Sequence, residues 1–192
     1  MIIVLILVGL VVLAGAIYVL MRNGIIASRN RVDEAWSGID VQLKRRHDLV
    51  PNLVEAVKGY ATHERETFEK VTQARSQAMA AQSVGETGQA ESALSGALGN
   101  LRIVAEQYPE LRATENFQQL QNQLSELEDE IQASRRIYNS NVQSYNTSIQ
   151  QFPGSIIANQ GGFTEREFFE IGDAAEREAP QVSFDQTAPP AA

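Results

Sequence analysis

"AWSGIDVQLKRRHDLVPNLVEAVKGY", residues 35–60, carries an apolar stripe at helical spacing straight across a proline. Trp36, Ile39 and Leu43 before Pro51, and Val50, Leu53, Val57 and Tyr60 around and after it, recur every three or four residues, so both flanks share one face. A proline in a helix interior removes one hydrogen bond and clashes with the preceding turn, but in a first turn it is tolerated. Asp48, three residues earlier, is a suitable N-cap. The stretch therefore predicts one helix from about Ile25 to His47 and a second from Leu49 to about Gln82, with Asp48 and Pro51 marking the break. Whether the chain kinks or reverses there is left open by the spacing.

Toward the N-terminus, Met1 to Met21 reads MIIVLILVGLVVLAGAIYVLM, with no charge and no proline. As a helix it extends ~31 Å, enough to cross a hydrocarbon core. A cleaved signal peptide needs a basic leader, a shorter apolar core and small residues at its exit, and none of these is present. A retained transmembrane helix over residues 1–22 is expected. Arg22, Arg29, Arg31, Lys44, Arg45 and Arg46 all follow it and no basic side chain precedes it, which favours an outside N-terminus and a cytoplasmic remainder. Asn23-Gly24, directly after the span, reads as a hinge.

Toward the C-terminus, Ser83 to Gly88 interrupts the pattern and a third helix is predicted from about Gln89 to Tyr108, ended by Pro109. Thr114 is placed to cap a fourth helix, whose stripe of Phe117, Leu120, Leu124, Leu127, Ile131, Tyr138, Tyr145, Ile149 and Phe152 stops at Pro153. No segment beyond the span alternates with period two, so the fold class is all-α: a transmembrane helix followed by a bundle over 23–153. The fourth helix is about twice as long as the third, so the rest of its stripe calls for cover from the first two helices or from a neighbouring chain. Residues 154–178 read as a loop and a short segment docked by Phe163, Phe168 and Phe169, and residues 179–192 as a disordered tail.

Composition narrows the chemistry. The chain is 192 residues with net charge −8, yet residues 22–46 carry a net +3 from six basic and three acidic side chains, leaving −11 elsewhere. Such an acidic body repels phosphate backbones, so nucleic acid is not an expected partner. Without cysteine there is neither a disulfide framework nor a thiolate metal site. His47 and His63 lie 16 residues apart with no second histidine at helical spacing, and no phosphate-cradling or nucleophile-elbow motif occurs. No catalytic, cofactor-binding or metal-binding residue is assigned, and no enzyme activity is expected. The sharper candidates are an interface or lipid-facing set: Trp36, the basic triplet Lys44, Arg45 and Arg46, and the tyrosines Tyr138 and Tyr145, each followed by asparagine and seven residues apart. The triplet reaches lipid only if its helix lies along the surface, and otherwise pairs with acids such as those of 126–130. The tyrosines read as core packing with hydroxyls at the edge or, alternatively, as an assembly surface.

Three stretches in order, WSGIDVQLKRRHDLVPNLVEAVKGYATHE, AEQYPELRATENFQQLQNQL and RRIYNSNVQSYNTSIQQFP, strongly resemble the LemA family of bacterial membrane proteins. The resemblance implies one N-terminal transmembrane helix, an antiparallel cytoplasmic bundle and a place in the bacterial inner membrane; it supplies no reaction. Its link to magnetosome membranes makes membrane organisation the expected class of role. The resulting expectation is a non-enzymatic, membrane-anchored protein that forms homo-oligomers and organises or shapes the membrane. The alternative is an adaptor that binds another membrane protein, such as a protease or an envelope-stress factor, through its bundle or tail.

Overall fold

The computed structural model describes residues 1–171. Six helices follow one another, α1 (Ile2–Lys58), α2 (Arg65–Ala80), α3 (Val84–Glu106), α4 (Pro109–Arg112), α5 (Glu115–Gln150) and α6 (Gly154–Gly161), and no strand occurs among the described residues. Residues 163–171 then form a non-helical strap. The predicted all-α class is the one found; the positions 172–192, which include the expected tail, lie outside the described residues.

The N-terminal helix departs most from the expectation. It is one element of 57 residues, ~85 Å long at the usual rise. Its first turns expose their apolar side chains, and it is long and apolar enough to cross a membrane. The expected hinge at Asn23-Gly24 does not form. Met21 packs against the core and Ile25 is buried, so only an unbroken helix keeps Met21, Ile25, Val32, Ile39 and Leu43 on one stripe.

Nor does the chain break at Pro51, which lies inside α1 with Asp48 exposed in mid-helix instead of capping a new one. The physical reason is a donor from elsewhere. Proline at 51 leaves the His47 carbonyl without its helical partner, and the Arg75 guanidinium of α2 donates Nε to that oxygen at 2.6 Å. The actual break comes at Gly59, where the N–H groups of Gly59, Tyr60 and Ala61 turn back onto Glu55 and Val57 carbonyls. The predicted helix from Leu49 to Gln82 is thus divided between the end of α1 and α2.

Ser83 opens α3 five residues earlier than the start near Gln89. Its hydroxyl accepts from Glu86 N at 3.1 Å while the Glu86 carboxylate accepts from Gln82 N and Ser83 N, a reciprocal capping box. Those two backbone donors hold the Glu86 carboxyl below its ordinary value. Pro109 occupies the first turn of α4, where its missing N–H costs nothing. Thr114 stands at the N-cap position of α5, but its hydroxyl donates to the Leu111 carbonyl and does not cap. Pro153 precedes α6, which forms where a loop was expected. Gly154 is needed there, since a Cβ would collide with the Ser148 carbonyl.

α1 and α5 run antiparallel along their shared length: Asn141 donates to the Arg31 carbonyl, Arg45 pairs with Glu130 and Arg46 with Glu128. The core has two parts. At the end remote from the apolar run, Leu49 to Val57 of α1 pack with α2, α3, Phe117 and Leu120. Nearer that run, Ile25 to Leu43 pack with Ile131, Tyr138, Val142, Tyr145 and Ile149 of α5, with α6 and with Phe169 of the strap. Because the two predicted helices are one, α1 with α6 and the strap covers the α5 stripe from Ile131 to Ile149 within a single chain, whereas Phe152, expected on that stripe, lies past the end of α5 and is exposed.

Candidate functional site

Two constructions join the halves of the bundle. The first is ionic and buried. On α1 the stripe passes through Arg46 and His47 between Leu43 and Val50, and on α3 it passes through Glu91 between Thr87 and Leu94. Helical spacing therefore turns all three inward. Glu91, completely buried, accepts from Arg46 Nη1 at 2.9 Å and lies 2.6 Å from His47 Nε2. Arg46 Nη2 donates to Ser95 Oγ and to Glu128 Oε1, each at 2.7 Å, so one guanidinium ties α1 to both α3 and α5. Its Nε has no hydrogen-bond partner. Arg46 also floors an open cleft of about 540 Å³ between α3 and α5, with Leu98, Leu101 and Phe117 below and Gln121, Asn122 and Ser125 at the rim. Chemically the cluster is a lock: a buried charge held by partners from other helices is expensive to unpair.

The second construction is the strap's seat. Asn139 donates Nδ2 to the Phe169 carbonyl at 3.0 Å and accepts the Phe169 N–H at 2.9 Å. Asn146 does the same for Arg166, both bonds at 2.9 Å. The Tyr138 hydroxyl donates to the Glu167 carbonyl at 2.9 Å and the Tyr145 hydroxyl to that of Thr164 at 3.0 Å. Seven residues of helix advance ~10.5 Å and three residues of extended chain ~10 Å. The repeated Tyr-Asn pair is thus a ruler for extended backbone, two turns of α5 per three strap residues. Trp36 closes the seat, edge-on to Phe169 and tilted against Tyr138, both with ring centroids 5.3 Å away. Burial pushes the hydroxyls of Tyr138 and Tyr145 up from their ordinary value of 10.0.

Measured against the sequence candidates, Trp36, Tyr138 and Tyr145 come together, but around the chain's own strap. With Tyr138 2% and Tyr145 1% exposed, neither faces lipid or a neighbour. The basic triplet divides. Arg46, 1% exposed, belongs to the lock, whereas Lys44 and Arg45 are on the surface, Arg45 paired with Glu130 at 3.6 Å. On an unbroken α1 this triplet stands ~33 Å or more along the helix beyond Arg22, past the ~8–10 Å over which headgroup charge acts, so contact with lipid would require the whole of α1 to lie along the surface. The sequence reading missed Glu91, Ser95 and Arg75. A charged residue in step with an apolar stripe, as Glu91 is with Leu94, Leu98 and Leu101, was the available signal.

An all-helical bundle mounted on a long apolar N-terminal helix, braced by a buried ionic lock and a strap, is the class of protein these features define. The chain belongs to the LemA family, whose pattern matches residues 35–184. It is 33% identical to protein LemA of Metamycoplasma hominis over 144 residues, 74% of this chain and 65% of that one. It is 26% identical to magnetosome protein MamQ 2 of Paramagnetospirillum magneticum over 160 residues, 70% of this chain and 59% of the relative. It is 24% identical to magnetosome protein MamQ of Magnetospirillum gryphiswaldense over 177 residues, 78% and 65% of the two chains. The chain spans less than two thirds of the length of each of these relatives.

Proposed function

We propose that this is a non-enzymatic protein of the bacterial inner membrane, N-terminus outside and bundle in the cytoplasm, that self-associates and thereby organises or shapes the membrane. The observation that carries the reading is the continuity of α1 from the apolar run into the bundle. With no joint between them, the angle between neighbouring bundles would be passed to neighbouring spans, and a set of tilted spans bends or orders a bilayer. Kinship with proteins named for magnetosomes supports the same class of role. The test is electron microscopy with mass measurement on full-length protein in lipid, beside a variant with Gly-Gly-Ser inserted between Arg22 and Asn23. Ordered assemblies that lose their order in the jointed variant are expected; monomers in lipid at high concentration would end the proposal.

The second reading, an adaptor, is favoured by the open cleft between α3 and α5, which no element fills among the described residues. Placing Asn122→Arg and Ser125→Arg at the rim of that cleft tests it. Loss of a co-purifying membrane protein with assembly intact would favour the adaptor.

A further inference from the structure

The α5–α6 corner is a second candidate for contact with the bilayer, and it derives its position from α1. Pairs across the α1–α5 interface fix the antiparallel register: Arg31 with Asn141, Trp36 with Tyr138, Arg45 with Glu130, Arg46 with Glu128. Continued toward the end of α5, the same register sets Phe152 level with Leu20 to Asn23, where the apolar run gives way to Arg22. The packing agrees, since Ile157 and Ala158 of α6 share with Ile25 the core against which Met21 packs. At that level Phe152 is 81% exposed, more than any other large apolar side chain beyond Met21 among the described residues, and Ile156 is 50% exposed.

Charge gives an independent observation. From Ile137 to Thr164 there are 28 consecutive residues without Asp, Glu, Lys or Arg, in a chain that is 21% charged and carries net −8. This neutral stretch includes the end of α5, all of α6 and the turn between them, the part of the bundle that lies nearest the span. Elsewhere the acidic body would be repelled by anionic headgroups; here the stretch itself brings no carboxylate, Glu165 at its edge accepts from Gln150 Nε2 at 2.8 Å, and the amides of Gln150, Gln151, Asn159 and Gln160 suit a hydrated boundary. An aromatic and an aliphatic side chain presented from such a surface sit at the headgroup and acyl boundary, as interfacial anchors do.

We propose that the α5–α6 corner, through Phe152 and Ile156, is seated in the bilayer interface and holds the bundle at a fixed rotation against the membrane. The partner is the lipid surface itself. This rests on Ile2 to Met21 being a membrane span, so the experiment reads the two separately.

The chain has no cysteine, which allows single labels. Full-length Ile156→Cys, Val12→Cys and Met79→Cys proteins, each carrying an environment-sensitive dye, are reconstituted into phosphatidylcholine and phosphatidylglycerol vesicles. Spin-labelled lipids with the nitroxide near the headgroup or deep in the acyl chains serve as quenchers. Val12 marks the span and Met79, exposed on the last turn of α2 just past the Arg75–His47 bond, a part of the bundle well away from the span. The expected result is deep quenching at 12, shallow quenching at 156 several-fold above that at 79, and a loss of the signal at 156 when Phe152→Asn is added. Quenching at 12 with position 156 no different from 79 would overturn the proposal and leave the span intact. No lipid quenching at position 12 would overturn both. Circular dichroism of each variant keeps misfolding apart from loss of contact.

Discussion

Beyond Leu49 the bundle is helix upon helix: the end of α1, the α2–α3 hairpin and the start of α5 bury aliphatic side chains against one another. Between Ile25 and Leu43 only α1 and α5 run side by side, and what completes the core there is α6 and a stretch of irregular chain. The remote half satisfies its backbone within its helices and is cohesive through apolar area. The near half must satisfy a strap that lies outside any helix, and side-chain amides and phenols spaced to match bond its backbone at Thr164, Arg166, Glu167 and Phe169. Cohesion in one half is therefore non-directional and tolerant, in the other directional and exact in register. The ionic lock at Arg46 stands where the two meet.

The largest expected effect is at that junction. Glu91→Ala leaves Arg46 buried with only Glu128 as a counter-charge and His47 without its partner, and a loss of about 3–5 kcal/mol is expected. Denaturant unfolding of the full-length protein measures it, and a loss under about 1 kcal/mol would mean that Ser95 and Glu128 suffice.

Phe169→Ala comes next at about 3 kcal/mol, because a fully buried aromatic is deleted from the near half. Hydrogen exchange sharpens the comparison: protection of the α6 and strap amides falls while that of α2 and α3 stays. Equal loss in both halves would show that the molecule has one core and not two. Gly88→Ala tests the same strap from the α3 side, where a Cβ would collide with the Glu170 carbonyl, and lifting of residues 169–171 is expected.

Arg75→Met, expected to cost about 1–3 kcal/mol, orphans the His47 carbonyl in the remote half. Faster exchange around Pro51, with the strap unaffected, is the outcome that supports it. The smallest effect is alkaline. The native state holds the protons of Tyr138 and Tyr145 more tightly than the unfolded chain, so their contribution is complete below pH 10 and is lost as pH rises through the raised folded values. Strap protection should fall in that range before protection of α2 and α3 does. A Tyr138→Phe, Tyr145→Phe double variant should lack the step.

What was legible in the residues was whatever depends on near neighbours. Spacing of three and four identified the helical stripes and the inward tyrosines of α5, and the prolines at 109 and 153 placed two helix ends within two residues of where they fall, Glu106 and Gln150. The course of the chain at Pro51 was not legible, because the donor that rescues the His47 carbonyl is 28 residues away in another helix. The capping box at Ser83 was local and readable, but Gly85 and Gly88 drew the reading toward a break. α6 is only eight residues long, too short for a period to stand out. Of the candidate site, the Tyr-Asn repeat was visible as a repeat; what it measures became clear only against the strap.

An unbroken α1 also means that the apolar run and the bundle share one phase. Each residue of helix turns by about 100° and rises 1.5 Å, so the direction in which the bundle faces around the axis of the apolar run is set by the number of residues between Met21 and Ile25. Inserting one residue there would swing the whole bundle through more than a quarter turn while lifting it by little more than an ångström. The length of this short stretch acts as an angular setting.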